Sequence, residues 1–353
     1  MNKIIIQIFQ CILYLLIPSI LMVKNPTLRI PIFKIIEIYL TNKLDQFRIF
    51  DTWMYNNEAE MAYIRIWRLY YYVDFFLIVV SPVTHSGKPK NITFAPFEKE
   101  IDKFKDKIRI IKVPKNTCYR EIYKKKTKSW CREKSQRDYA IIAAKEMFNL
   151  TTSDIFLVSD ADEIFTREAV TYIRQHPPSN LYFVKGSLYF PNYYHYVGKW
   201  DVGFVCRYYP SCPHISILRE AAHKNKPIYY PNILKSDINF ITHCSYCFKD
   251  LEQYKNKIKS FAHQEFNKPP YITNDWIFMS HYCRIKIPCD SAGYDIEIKN
   301  LSQLIPNDPR LYFLIDRSFE YPLNLTNYTS NDLKSLCKNN NLNRTPLIND
   351  FAF

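Results

Sequence analysis

Ser153-Asp154-Ile155-Phe156-Leu157-Val158-Ser159-Asp160-Ala161-Asp162-Glu163-Ile164 is the stretch whose reading settles the class of fold. Ile155 to Val158 run apolar without alternation, as a short strand buried on both faces does. Directly after them the side chains turn acidic. Side chains on an extended strand alternate with period 2, so Asp160 and Asp162 are expected on the same side. Two carboxylates converging on one point repel each other unless a cation lies between them. Hard oxygen ligands, with water in the remaining positions, suit Mn2+ or Mg2+. In an open α/β sheet, ligands bind in the crevice beyond the carboxyl ends of the strands. A cation held there by Asp160 and Asp162 is placed to receive a diphosphate. The plainer reading of the same residues is an acidic turn capping a helix that starts near Thr166.

Upstream, Phe47-Arg48-Ile49-Phe50-Asp51 reads as a first strand, Phe75 to Val80 as a second buried one, and Ile108 to Val113 as a third. Asn57 can cap a helix whose apolar stripe is Ala62, Ile66, Leu69 and Val73. The second strand empties into the polar loop Ser81 to Lys90. Glu133 to Asn149 reads as a helix, and the acidic stretch is followed by a helix over 166–175 and a strand near 181–184. Strand and helix alternate, which predicts an α/β fold with a mostly parallel central sheet and helices on both faces. The second half is less regular. Its aromatic stretch Tyr189 to Tyr196 reads as core packing, and His243-Cys244-Ser245-Tyr246-Cys247-Phe248 contains a Cys-x-x-Cys.

The chain's 353 residues can bury a substantial core. With five glycines it has no Gly-rich phosphate loop of the Rossmann or Walker kind. A net charge of +14 raises nucleic acid as a partner. Lys and Arg are dispersed, however, and the densest cluster, Lys124-Lys125-Lys126-Thr127-Lys128, reads as a solvated loop. No nucleic-acid module is visible, and none is expected as a partner.

Ile4 to Val23 carries no charged residue, and about 20 apolar residues cross a bilayer. The Ile20-Leu21-Met22-Val23-Lys24 junction offers no good cleavage site, so residues 1–23 are read as a signal anchor with a short cytoplasmic end. Residues 24–44, with Pro26 and Pro31, are a stem; 45–322 hold the main domain; 323–353 form an Asn-rich tail. Sequons at Asn91, Asn149, Asn324, Asn327 and Asn343 suit a luminal, type II arrangement. Ten cysteines fit an oxidising compartment. Cys118, Cys131, Cys206, Cys212, Cys244, Cys247, Cys283 and Cys289 are the plausible disulfide set, with connectivity open. A zinc site from Cys244, Cys247, Cys206, Cys212 and His214 is the alternative, and oxidised Cys244 and Cys247 are preferred.

Taken in order, several short pieces resemble glycosyltransferase family 17, typified by the β-1,4-mannosyl-glycoprotein 4-β-N-acetylglucosaminyltransferase. They are Phe50-Asp51 with Asn57-Glu58 and Glu60; Val73-Asp74; Thr84-His85-Ser86-Gly87-Lys88-Pro89-Lys90; Glu133 with Gln136-Arg137-Asp138-Tyr139; Asp160-Ala161-Asp162-Glu163-Ile164; His243 to Phe248; and Lys259-Ser260-Phe261-Ala262-His263. The resemblance implies a GT-A-like domain in the Golgi membrane. It implies inverting transfer of N-acetylglucosamine from UDP-GlcNAc to a mannose hydroxyl of an N-glycan, in β-1,4 linkage. Asp160 and Asp162 would hold the metal, with Glu163 in support, and His85, Lys88, Arg137 and Asp160 would meet the donor. The catalytic base is left open among Asp201, Glu220, Asp237, Glu265 and Asp275, and the oligomeric state is left open too. Two departures stand out: Val80-Ser81-Pro82 where the family usually has Glu-Ser-Asn, and Phe165 where it has Pro. They favour a rival reading, a degenerate transferase fold that binds glycans or scaffolds other proteins. Asp162→Asn is expected to abolish metal-dependent transfer and to leave stability nearly intact, since one repelling carboxylate is gone.

Overall fold

In the computed structural model, which describes residues 47–114, 118, 123–124, 126–179, 181–189, 195–209, 215–223, 238–248, 251–282 and 297–298, the run at 155–158 is a central strand. The first half is built from β1 (Ile49–Tyr55), α1 (Ala59–Leu69), β2 (Phe75–Val80), α2 (Glu98–Asp102), β3 (Ile108–Lys112), α3 (Lys128–Met147) and β4 (Ile155–Val158). After the acidic stretch come β5 (Glu163–Phe165), α4 (Arg167–Gln175), β6 (Leu181–Phe183), β7 (Gly186–Tyr189), β8 (His195–Lys199) and β9 (Phe204–Arg207). Then follow α5 (Ile215–His223), β10 (Ile241–Cys244), α6 (Leu251–Ser260), α7 (Asn274–Tyr282) and β11 (Glu297–Ile298).

The six-stranded sheet has the order β3-β2-β1-β4-β9-β6. Its first four strands are parallel; β9 runs antiparallel to β4, and β6, antiparallel to β9, returns to the common direction. Register explains why both faces are apolar. Phe50 faces Phe75 on one neighbour and Phe156 on the other, with ring centroids 5.5 and 5.0 Å apart. On that face Leu77, Val79 and Val158 pack against Ala140, Ala143 and Ala144 of α3. The alternate residues, Asp51 and Trp53, meet α1 on the opposite face. Helices therefore cover both sides of a mostly parallel sheet. The second sheet, β11-β8-β7-β10-β5, packs Leu188 against Tyr246, Tyr254, Ile258, Trp276 and Ile277 of the neighbouring turn, α6 and α7.

Several boundaries differ from those read in the sequence. β1 runs on to Tyr55, because Thr52, Trp53, Met54 and Tyr55 continue the pairing with β2, while the pairing with β4 stops at Thr52. α3 begins at Lys128; its polar first turn hides Cys131, which is fully buried and disulfide-bonded to Cys118. Asn57 caps nothing. It sits at φ 71°, a left-handed conformation that Asn tolerates, and its amide donates to Asn91 O. The main correction concerns the acidic stretch. β4 ends at Val158, and residues 160–163 form a turn closed by the Glu163 N–H on Asp160 O at 3.0 Å. Asp160 and Asp162 are thus not strand-alternation partners, and each finds separate neighbours.

Among the described residues no helix is long and apolar enough to cross a membrane. The expected anchor, the stem and the tail beyond residue 322 lie outside the described residues.

Candidate functional site

β1 has β2 and β3 on one side and β4 on the other, so the order of the parallel strands reverses between β1 and β4. At such a switch point the connections leave in opposite directions and open a crevice beyond the carboxyl ends. The acidic turn follows β4 directly into that crevice.

Arg65 of α1 holds the turn from beneath. Its guanidinium forks onto the fully buried Asp51 carboxylate, Nε to Oδ2 at 2.8 Å and Nη2 to Oδ1 at 2.5 Å. The remaining protons reach Asp160 O at 2.7 Å, Glu163 O at 3.1 Å and Ser159 Oγ at 2.8 Å. A planar five-donor group can satisfy all of these at once, and a lysine could not.

Above it, Asp160 accepts from Arg137 of α3, at 3.1 Å from Nη2 to Oδ1, and from Arg219 of α5, at 3.0 Å from Nη2 to Oδ2. Glu163 is buried. Arg219 donates to both of its oxygens, and Trp200 Nε1 donates to Oε1 at 2.7 Å. Burial pushes the Asp160 and Glu163 carboxyls up, but Arg137 and Arg219 at Asp160, and Arg219 with His243 at Glu163, outweigh it and hold both below the usual carboxylate range. The same carboxylates raise Arg219, against the opposing effect of its burial.

Asp162 points elsewhere. Its Oδ2 lies 2.5 Å from Lys257 Nζ on α6 and 3.5 Å from His243 Nε2 on β10, and its carbonyl accepts the Cys244 N–H at 3.1 Å. Burial raises this carboxyl, and Lys257 with His243 overcomes it and depresses it strongly. Cys244 and Cys247 form a disulfide that closes the chain reversal at the end of β10. Cys212 and His214 of the zinc alternative lie outside the described residues.

The loop after β2 reaches the same crevice. Buried His85 donates from Nε2 to Gln136 Oε1 at 3.1 Å, since the Gln136 amide nitrogen is committed to Val79 O at 2.8 Å. Glu133 lies 3.9 Å from His85 Nδ1 and accepts from Arg137 at 2.7 Å, which links the loop to Asp160. Burial lowers the His85 pKa and the nearby Glu133 only partly offsets this, so the ring is neutral near pH 7. Lys88 is exposed and contributes its backbone, exchanging hydrogen bonds with Thr84. Lys90 instead reaches inward, to Tyr55 O at 3.1 Å and Asn56 Oδ1 at 2.7 Å.

The structure thus brings together Asp160, Glu163, Arg137 and, through Glu133, His85. The candidates for the base are scattered. Asp201 accepts the Gly186 N–H at 3.1 Å, and Glu220 joins Lys126 and Lys134. Glu265 is exposed and accepts from His263 Nδ1 at 2.6 Å; Asp275 is exposed in the first turn of α7. Asp237 lies outside the described residues. Sequence reasoning missed Arg65, Arg219, Lys257 and Trp200. Arg65 carried a signal, for it interrupts the apolar stripe of α1 between Ala62 and Ile66, where only a paired arginine can be buried.

Among the described residues no three metal-ligating side chains form a ready-made cage. The donor set nevertheless suits a cation of the Mg2+ type, which is commonly held by one or two carboxylates together with substrate phosphates. The fixed cations Arg65, Arg137, Arg219 and Lys257 already face Asp51, Glu133, Asp160, Asp162 and Glu163. A diphosphate entering this crevice therefore meets no uncommitted positive charge among these residues, and a divalent cation would supply it.

A sequence model of glycosyltransferase family 17 matches residues 37–284 of this chain. No individually curated protein matches it. Among solved structures it is similar to the inositol-1-phosphate CTP transferase from T. maritima, at 9% identity over 56% of this chain and 84% of that one. The TM-score is 0.26, too loose a superposition to carry any argument.

Proposed function

The chain belongs to glycosyltransferase family 17, and we propose that it moves N-acetylglucosamine, with inversion, from UDP-GlcNAc to a mannose hydroxyl of an N-glycan in β-1,4 linkage. Membership makes it a glycosyltransferase, taking a sugar-nucleotide donor and a glycan acceptor. The observation that supports the fuller reading is the acidic turn, clamped by Arg65 at the switch point between β1 and β4.

Asp162 would hold Mn2+ or Mg2+, with Asp160, two residues earlier in the same turn, reaching the metal or the donor, and the cation's chemistry there is Lewis-acid neutralisation of the leaving diphosphate. Arg65 keeps the turn's backbone in place through Asp51. Arg137 and Arg219 keep Asp160 ionised and oriented. Glu163 braces the turn from within, its carboxylate accepting the Asp160 N–H at 2.8 Å. Inversion by a single displacement needs a base on the far side of the sugar, within reach of the acceptor hydroxyl. Asp201 and Glu220 are committed to structural contacts, and we favour Glu265. It is exposed, and His263, to which it is bonded, follows the end of α6, where Ser260 O accepts from Ser86 N at 3.1 Å.

A screen of UDP-sugars with Mn2+, with and without a mannose-terminated glycan, tests the reading. Transfer from UDP-GlcNAc only when the glycan is present supports it. Release of free sugar alone indicates a hydrolase, and binding without turnover a glycan-binding protein. We also propose a type II Golgi membrane arrangement, motivated by the uncharged Ile4 to Val23 and the sequons. In microsomes, N-glycans that yield to a glycosidase only after detergent treatment are expected, and an unglycosylated cytosolic product rules the arrangement out.

A further inference from the structure

Lys257 is an unusual tenant of this site. Its Nζ lies 2.5 Å from Asp162 Oδ2, its one hydrogen-bond acceptor among the described residues, and its side chain is 14% exposed. The ring faces of Tyr246 and Phe248 surround the ammonium, with centroids 5.4 and 5.6 Å away. Such faces attract a cation but supply no strong hydrogen-bond acceptor, and an ammonium has three protons to place. Asp162 is therefore the hydrogen-bond partner and the foremost charge partner of this half-buried lysine, with Glu58 and Asp160 adding to its field.

A divalent cation on the Asp162 carboxylate would lie close to the Lys257 ammonium already bound to Oδ2, and the two positive charges would repel. The ammonium would have to leave, and in this aromatic surround it would need another anion. The anion that accompanies such a cation is the donor's diphosphate. The backbone of α6 need not move: Ser260, one turn on, is tied to Ser86 N through its carbonyl and to Asn56 Nδ2 through its hydroxyl, the latter at 2.9 Å. The four-carbon lysine stem can swing while its helix stays fixed.

We infer that Lys257 is a donor-binding residue that exchanges partners. Without donor it fills the cation's place on Asp162; when nucleotide and cation arrive together, it turns from Asp162 onto a phosphate oxygen. This rests on Asp162 being a cation ligand, as proposed above. A cation arriving alone meets the Lys257 ammonium with no phosphate to draw it away, so free Mn2+ binds poorly and Mn2+ with UDP binds well.

The test uses the full chain, with Mn2+ binding followed by electron paramagnetic resonance and UDP binding by calorimetry, for wild type, Lys257→Met and Asp162→Asn. Methionine keeps the length and apolar contacts of the stem without its charge. A site whose competent state is about one-tenth populated loses about tenfold in apparent affinity, so Lys257→Met is expected to bind free Mn2+ about tenfold more tightly than wild type. The same variant is expected to bind UDP with Mn2+ more weakly than wild type. Unchanged Mn2+ affinity, or unchanged UDP affinity, in Lys257→Met overturns the exchange while Asp162→Asn still loses Mn2+. Retention of Mn2+ by Asp162→Asn instead overturns the metal reading beneath it. Wild type supplies a check independent of any variant: free Mn2+ binding as tight as that in saturating UDP also overturns the exchange.

Discussion

Replacing Asp162 by Asn removes the charge facing Lys257 and leaves only an amide oxygen in its place. The sequence alone suggested that relief of repulsion between acids would leave stability intact; the pairing with Lys257 reverses that expectation. Removing one partner of a buried ion pair costs about 3–5 kcal/mol, and the retained acceptor places Asp162→Asn toward the low end. A clear fall in the urea midpoint of the metal-free protein is expected, together with a loss of about 10²–10³ in transfer rate from the missing charge stabilisation. An unaltered midpoint would mean that Lys257 finds another anion at no cost. Arg65→Lys is expected to be as damaging to folding, about 3–5 kcal/mol, because a lysine cannot fork onto Asp51 and also reach Asp160 O, Glu163 O and Ser159 Oγ. Denaturation and transfer assays on purified Arg65→Lys check this, and a variant as stable as wild type removes the clamp.

Among the elements, the strand pair β7 and β8 with its following residue does most to support the turn from the far side. Trp200 donates its backbone N–H to Gly186 O at 2.8 Å and its indole N–H to Glu163. A Cβ at Gly186 would fall 2.3 Å from Trp200 O, a backbone atom that cannot rotate aside. Gly186→Ala is therefore expected to push Trp200 off Glu163 and to cost about 1–3 kcal/mol, as overpacking does. A lower melting temperature with altered tryptophan fluorescence is the readout, and wild-type values in both would show that the strand pair gives way without strain. The loop after β2 shows a similar close approach: Gly87 lies at φ 96°, and a Cβ there would come within 2.8 Å of the Arg132 guanidinium.

Across the whole molecule, the titratable groups set how stability follows pH. Asp154, Asp160, Asp162 and Glu163 are all held below their ordinary values of 3.8 or 4.5: burial raises each, and Arg48, Arg137, Arg219 and Lys257 overcome it. With a folded pKa below the unfolded one, each adds stability that is complete above about pH 5 and is lost as pH falls through the folded value. Urea midpoints are expected to hold level from pH 7 to about 5 and then drop steeply below about 4. A midpoint that stays level to pH 3 would contradict the ion-pair network. Lys90 acts in the other direction. Burial lowers it from 10.5 to about 8, so between those values the unfolded chain binds more protons than the folded one, and stability rises with pH. Lys90→Met is expected to abolish that rise between about pH 8 and 9.5, measured against wild type in the same denaturant series.

Local pattern was enough for the scaffold. An uninterrupted apolar run such as Phe75 to Val80 or Ile155 to Val158 belongs to a strand covered on both faces, and the alternation with helices makes the sheet parallel. That such a strand ends in acids at a crevice also follows from neighbouring residues. The short strands of the second half, two to five residues long, carry too little periodicity to be read locally, and they gain their order from cross-strand partners. What surrounds the acids could not be read either. Arg65 stands 95 positions from Asp160, Lys257 stands 95 from Asp162, and Arg219 stands 56 from Glu163. No spacing rule spans such separations. Strand alternation placed both aspartates on one side, whereas the chain turns after Val158 and sends Asp160 to arginines and Asp162 to a lysine. The cost of burying a charge without a counter-charge is paid through space, so only the folded arrangement fixes which cation each carboxylate meets.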